Sequence, residues 1–444
     1  MTTWKKEIAA DPQVETFTVG NDRDFDLRLA SFDVLGSMAH AKMLSECGLI
    51  TQEEQQQLHE ALNEILTSIE NGSFRIVAPA EDVHSQVELL LTEKLGATGK
   101  KIHTARSRND QSLLDIKLFI RDQLQQTTTQ MTQLFERLQE LSAAYANTLL
   151  PGYTHLQLAM PSSFGLWFGA FAESLSDDIE LLLAAYRMAD KNPLGSAAGY
   201  GSSFPINRER TTELLGFSAM NVNSVYAQLT RGKTEKAAAA AIAAVGSSLA
   251  KLAMDATLFM NQHFDFISFP TELTTGSSIM PHKKNPDVWE LIRAKCNRLQ
   301  SVPNELALLL GNLPSGYHRD LQLTKEILFP AFETLQSCMT MTLRMLEQIQ
   351  VREQILEGEM YDSLFTVDAV NALVQQGVPF RDAYKQVGLA IEAGMFRRPA
   401  ALAHTHTGSI GNPGNELVKK LFEERKAAFG FEKATAALEK LRQQ

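Results

Sequence analysis

Three polar stretches interrupt an otherwise helical chain, and they hold the side chains with most capacity for chemistry. They are KIHTARSRNDQ at 101–111, PGYTHLQ at 151–157 and TTGSSIMPHKKNPD at 274–287. Loops crowded with hydroxyls, amides, histidines and cations at helix ends are where binding sites form. In the third stretch, Lys283 and Asn285 set a cation and an amide donor in one loop. The helix beginning after Pro286 adds the positive end of its dipole, and together these groups can stabilise an anion that develops on a bound molecule. His155, in the second stretch, is of the residue type suited to moving a proton. Taken singly, each residue has a plainer account. Ser277 and Ser278 after glycine would cap a turn. Lys283-Lys284 would be a solvated pair, Glu290 an exposed helix residue, and His155 a surface or capping histidine.

The elements that must position these loops are helices. From Ser112 to about Tyr145, apolar residues recur at Leu113, Ile116, Ile120, Leu124, Met131, Leu134, Leu138 and Leu141. Those steps of three, four or seven draw one stripe along a helix on the order of 50 Å long, at ~1.5 Å per residue. Further periodic stretches run from Phe164 to Met188, through the alanine-rich segment Ala237–Met254, from Asp287 onward, and from Thr324 to about Gln350. Pro303 is expected to kink or end the fourth. Alternating strands are nearly absent. Five long helices predict a central bundle, and the expected organisation is all-α with three domains: 1–108, 109–350 and 351–444. Apolar residues on more than one helix face predict burial against a partner subunit.

Bulk properties narrow the class. The 444 residues exceed one ordinary core. The net charge of −10 and the absence of a long basic run argue against a nucleic-acid or anionic-membrane partner. Cys47, Cys296 and Cys338 are isolated, with no metal-ligand spacing, and read as free thiols in a reducing compartment. The N-terminus carries Lys5 and Lys6 but lacks the apolar stretch of a secretory signal. Ser247, Ser248 and Lys251 interrupt Ala237–Met254, which reads as a buried helix of small side chains rather than a membrane span. A cytoplasmic location is expected.

GSSIMPHKKNP at 276–286 resembles the GSSxMPxKxNP loop of the fumarase/aspartase superfamily, matching it at every fixed position. HTARSRNDQ at 103–111 and GYTHLQ at 152–157 resemble the argininosuccinate lyase versions of two other family regions. EDVHSQVE at 81–88, PLGS at 193–196 and LPSGYHRDLQLTKE at 313–326 also match, as do DVLGSMA near the start and GVPFRDAY near the end. The resemblance therefore spans most of the chain. It also sets aside a serine hydrolase, for which the GxSxG elbow is missing.

The resemblance implies a β-elimination that splits argininosuccinate into arginine and fumarate, a step of arginine biosynthesis. The proton leaves a carbon beside a carboxylate, so a doubly negative intermediate must be stabilised, which suits Lys283 and Asn285. The family base corresponds to Ser277, whose alkoxide would need backbone N–H groups and Lys283 beside it. Gly276 would let the loop close over substrate. The departing guanidine needs a proton, and the resemblance pairs His155 with Glu290. Ser107, Arg108, Asn109, Thr154, Asn285, Tyr317, Gln322 and Lys325 are implied to bind substrate. No metal or organic cofactor is implied. The implied assembly is a homotetramer whose active sites each draw on three subunits.

The chain also departs from that pattern. Leu156–Pro161 reads LQLAMP for LQRAQP, and Leu229–Gly232 reads LTRG for SDRD. His282 replaces a glutamine, Tyr317–Asp320 reads YHRD for YNKD, and the WGGRF opening is missing. Asp22 stands at the position of a substrate-binding serine. None of these touches Ser277, Lys283, Asn285 or His155, so they bear on the arginine half of the substrate. Two alternatives follow: a sister lyase acting on another substituted succinate, and a catalytically silent structural homologue of the lens-crystallin kind.

Overall fold

The computed structural model describes residues 11–78, 80–399 and 402–443. The segment with Lys5 and Lys6 lies outside the described residues. The fold is all-α apart from three two-stranded ladders. Its axis is the helix Arg108–Ala144, and the expected stripe from Leu113 to Leu141 is buried throughout. A capping box starts this helix. The Ser107 N–H donates to Asp110 at 2.9 Å, and the Ser107 hydroxyl accepts from the Asn109 N–H at 3.3 Å. Phe164–Ala189, Lys233–Phe259, Asp287–Leu299 and Thr324–Glu347 pack with it around one core.

Side-chain size sets how closely these helices approach. Ala238, Ala239, Ala241, Ala253 and Ala256 are all buried along Lys233–Phe259. A Cβ at Gly246 would sit 3.3 Å from the Cys296 carbonyl oxygen of the neighbouring helix. The stretch Ser224–Phe259 is long and apolar enough to cross a membrane, yet most of it is buried inside the bundle. The fourth expected helix is broken in two. It stops at Leu299 and resumes at Val302–Leu309 with Pro303 in the new first turn, where the missing N–H costs nothing.

A second core gathers Ala30–Glu46, Gln52–Glu70 and Val83–Leu95 against another face of the long helix, through Leu114 and Leu118. The chain end returns to both cores. Phe422 stacks on Phe135 at 3.9 Å, while Leu441 joins the second core. Val370, Ala383 and Val387 form a small separate cluster.

One element was not expected. The stretch containing His155 is an antiparallel hairpin, Leu149–Thr154 paired with Gln157–Ser163, rather than a plain loop. Pro151, Gly152 and Pro161 disguise it, since prolines are tolerated only at edges or irregularities of a ladder. A two-stranded ribbon is all edge, and its register does shift between Pro151 and Tyr153.

Candidate active site

Four regions distant in sequence close a cleft of about 150 Å³. They are the short helix Asp22–Asp26, the turn leading into Val83–Leu95, the start of Arg108–Ala144, and the segment from Tyr317 to Lys325, joined by Arg231. Of the expected site residues, Arg108, Asn109, Tyr317, Gln322 and Lys325 line it together. Ser107 does not line it; it caps the helix. Larger cavities lie beside His404 and against the C-terminal helix Phe431–Arg442; none of them gathers as many facing charges.

Ion pairs fix Arg108, Arg231 and Lys325 in the cleft. Arg108 reaches Asp82 at 2.9 Å and the Ser85 hydroxyl at 2.6 Å. Arg231 pairs with Glu235 at 3.2 Å and donates to the Ser112 hydroxyl at 3.1 Å. The Lys325 ammonium, only 4% exposed, meets Asp26 at 2.6 Å and also Asp22. Gln322 gives its amide to the carbonyls of Thr18 and Val19 at 3.2 and 3.3 Å. In this conformation the amide holds the chain beside the cleft.

Sequence reasoning assigned no role to EDVHSQVE or PLGS, and the geometry supplies one for each. Asp110 is buried and accepts the N–H groups of Gly195 and Ala197 at 2.9 and 2.8 Å. It thereby pins the PLGS turn beside Asn109, whose amide donates to the Ala198 carbonyl at 3.4 Å. Burial pushes the Asp110 carboxyl up to about 6, against those donors. His84 lines the cleft, and its Nδ1 lies 2.7 Å from Asp33 and 3.5 Å from Asp115. The three ligand-type atoms lie within 4.8 Å of one another, a spacing a metal ion could use. Positive charge is supplied here by the protein itself: burial opposes the imidazolium, but Asp33 and Asp115 outweigh it and raise His84 to about 9, and Arg106 adds a second cation.

That shift has a signed consequence. A histidine whose folded pKa exceeds its ordinary 6.5 stabilises the fold fully below 6.5, and the contribution disappears as pH rises through about 9. The expected loss is on the order of 3 kcal/mol across that window. Lys117, lowered to about 8 by burial, acts with opposite sign above pH 8. The comparison is therefore between the wild type and His84→Gln. Urea midpoints should fall with pH in the former and flatten in the latter; equal slopes would remove the charged His84 from the account.

The remaining expected residues stand elsewhere. His155 and Leu156 form the two-residue turn of the hairpin, both with positive φ, 55° and 58°. Two such residues in succession define the turn that matches strand twist, here built without glycine or asparagine. The turn lifts His155 and Thr154 into solvent. In the third stretch, the Ser277 hydroxyl oxygen accepts the N–H groups of Met280 and Ile279 at 3.2 and 3.4 Å. Asn285 closes this loop: its N–H donates to the Thr275 carbonyl at 2.8 Å and its amide to the Gly276 carbonyl at 3.3 Å. The amide expected to bind substrate thus braces the loop in this conformation. Lys283 and Glu290 are exposed. None of Thr154, His155, Ser277, Lys283, Asn285 or Glu290 lines the cleft. The expected site residues thus fall into three groups by segment: the cleft, the hairpin turn and the serine loop with its helix.

Comparison with known proteins places this arrangement. The model of a family described as lyase matches residues 5–301. Solved structures agree in fold. An EDDS lyase in complex with formate aligns with a TM-score of 0.74 at 24% identity, over 96% of this chain and 93% of that one. A class II fumarase from Schistosoma mansoni aligns at 0.70 and 14% identity, over 94% and 95%. Sequence relatives are much nearer. An argininosuccinate lyase of Bacteroides thetaiotaomicron is 55% identical over 96% of both chains, and one of Parabacteroides distasonis is 55% identical over 99% of this chain and 98% of its own. The chain belongs to the argininosuccinate lyase family of fumarate-releasing lyases.

Proposed function

We propose that this protein eliminates fumarate from argininosuccinate and releases arginine, with Ser277 as the base that takes the proton. The observation that carries the reading is the pair of backbone N–H groups on the Ser277 oxygen. A serine is a poor base until its alkoxide is stabilised, and two N–H donors in a loop that also carries Lys283 would supply that stabilisation. Lys283 then balances the charge that develops on the substrate carboxylate, and His155, oriented by Glu290, serves the departing guanidine. The cleft holding Arg108, Asn109, Tyr317, Gln322 and Lys325 binds the rest of the substrate. The chemistry calls on no metal or organic cofactor.

The three groups are proposed to meet in a homotetramer, each site drawing its cleft, its hairpin and its serine loop from different subunits. Support comes from the bundle surface, where Leu181, Met254, Leu291 and Leu308 are exposed on four of its helices. Such apolar residues on long helices suit burial against further copies. The enzyme would act in the cytoplasm as part of arginine biosynthesis. Mixing purified protein with argininosuccinate should give a steady rise in the ultraviolet absorbance of fumarate. No rise would retire this substrate and turn attention to other succinyl adducts, beginning with adenylosuccinate.

A further inference from the structure

The cleft contains one carboxylate more than its buried ammonium requires. Lys325 is flanked by Asp26 and Asp22, and Asp26 alone balances its charge. Asp26 is also anchored from behind, accepting the Val83 N–H at 3.2 Å, and is only 2% exposed. Asp22 lines the cleft, its side chain 15% exposed, and is bonded to Lys325. Arg108, Arg231 and Arg319 line the same cavity, so Asp22 stands there as an anion among cations, with Lys325 directly at its side. Burial and the neighbouring Asp26 push the Asp22 carboxyl up to about 6, so holding this charge opposes its ordinary ionisation. A strained charge of this kind in a cleft marks a binding role.

We propose that Asp22 is a specificity-determining residue that receives the α-ammonium of the substrate's amino-acid end, while Lys325 beside it takes the α-carboxylate. An anion and a cation side by side, both held by the fold, match a zwitterion, and a zwitterionic α-amino acid head is what the arginine half of argininosuccinate presents. This deepens the proposed function and rests on it for the identity of the substrate. It also gives a chemical meaning to the departure at Asp22: a carboxylate binds an ammonium more strongly than a neutral hydroxyl does.

The test uses the full-length assembled protein and two small probes, L-arginine and guanidinovalerate, which lacks only the α-amino group. By calorimetry the wild type should bind arginine at least ~10-fold more tightly than guanidinovalerate. Asp22→Asn should lose that preference and bind the two probes alike. Asp22→Ser repeats the measurement should the asparagine variant misfold. In the wild type the preference should also fade as pH drops below about 6, where Asp22 becomes neutral among Asp26, Lys325 and Arg231. That limb should be missing in Asp22→Asn. An unchanged preference in both variants, or none in the wild type, overturns the proposal. The fumarate assay separates the two readings. Turnover of argininosuccinate without an arginine preference sinks the role of Asp22 alone. Preference without turnover sinks the reaction and leaves the amino-acid receptor standing.

Discussion

Replacing Ser277 by alanine should lower turnover at least ~10³-fold and leave the fold intact, because the proposed base disappears while little packing does. The serine lies in a loop closed by the Thr275–Asn285 bridge, and among the described residues its hydroxyl bonds to N–H groups inside that same turn. Losing those bonds costs about 1 kcal/mol at a solvent-accessible site, so the melting transition should move by no more than a few degrees. The effect should fall on kcat rather than KM, since Ser277 is proposed to act on the reacting carbon and does not line the cleft. Near-normal turnover in Ser277→Ala would remove this residue from the mechanism. A collapse of the melt together with activity would leave its chemistry unproved and call for Ser277→Gly.

The second large effect is a recovery. His155→Asn and Ser277→Ala should each be almost inactive alone, and subunits of the two mixed by reversible dissociation should regain activity. If a site draws its hairpin from one subunit and its serine loop from another, some sites in a mixed tetramer receive both native residues. Random equal mixing leaves roughly a quarter of the sites intact, because each contributor is native with a chance of about one half. His155 is exposed and Ser277 half-buried, and neither lines the Lys325 cleft, which motivates this expectation. No recovery from tetramers shown to be mixed would mean that His155 and Ser277 belong to one chain's site.

Much of this was legible in the sequence, and the parts that were not have physical reasons. The long helices showed themselves because buried faces repeat at the helical period, and Leu113 to Leu141 lie as that period requires. The hairpin did not, because Pro151, Gly152 and Pro161 erase the alternation that marks a strand. Arg108, Asn109, Tyr317, Gln322 and Lys325 were named in advance and share one cleft. His84, Asp26 and Asp110 were not named, for their importance lies in partners 51 to 299 residues away. No local pattern carries such a pairing. Asn285 shows the converse. Its amide was read as a donor to substrate, whereas the loop's own geometry binds it to Gly276.

The tight turn at His155 has a consequence for how this protein can change. A hairpin joined by two residues, both already in the left-handed region, has no slack. Adding or removing one residue on either strand would swap which side chains face the bundle and which face water. The hairpin therefore acts as a ruler of fixed length, and mutations that alter its length should be rejected by folding before catalysis is tested. Substitutions along the cleft meet no such barrier. Variation in what the enzyme accepts is accordingly expected at positions such as Asp22 and Arg319, with the reach of His155 held constant across descendants.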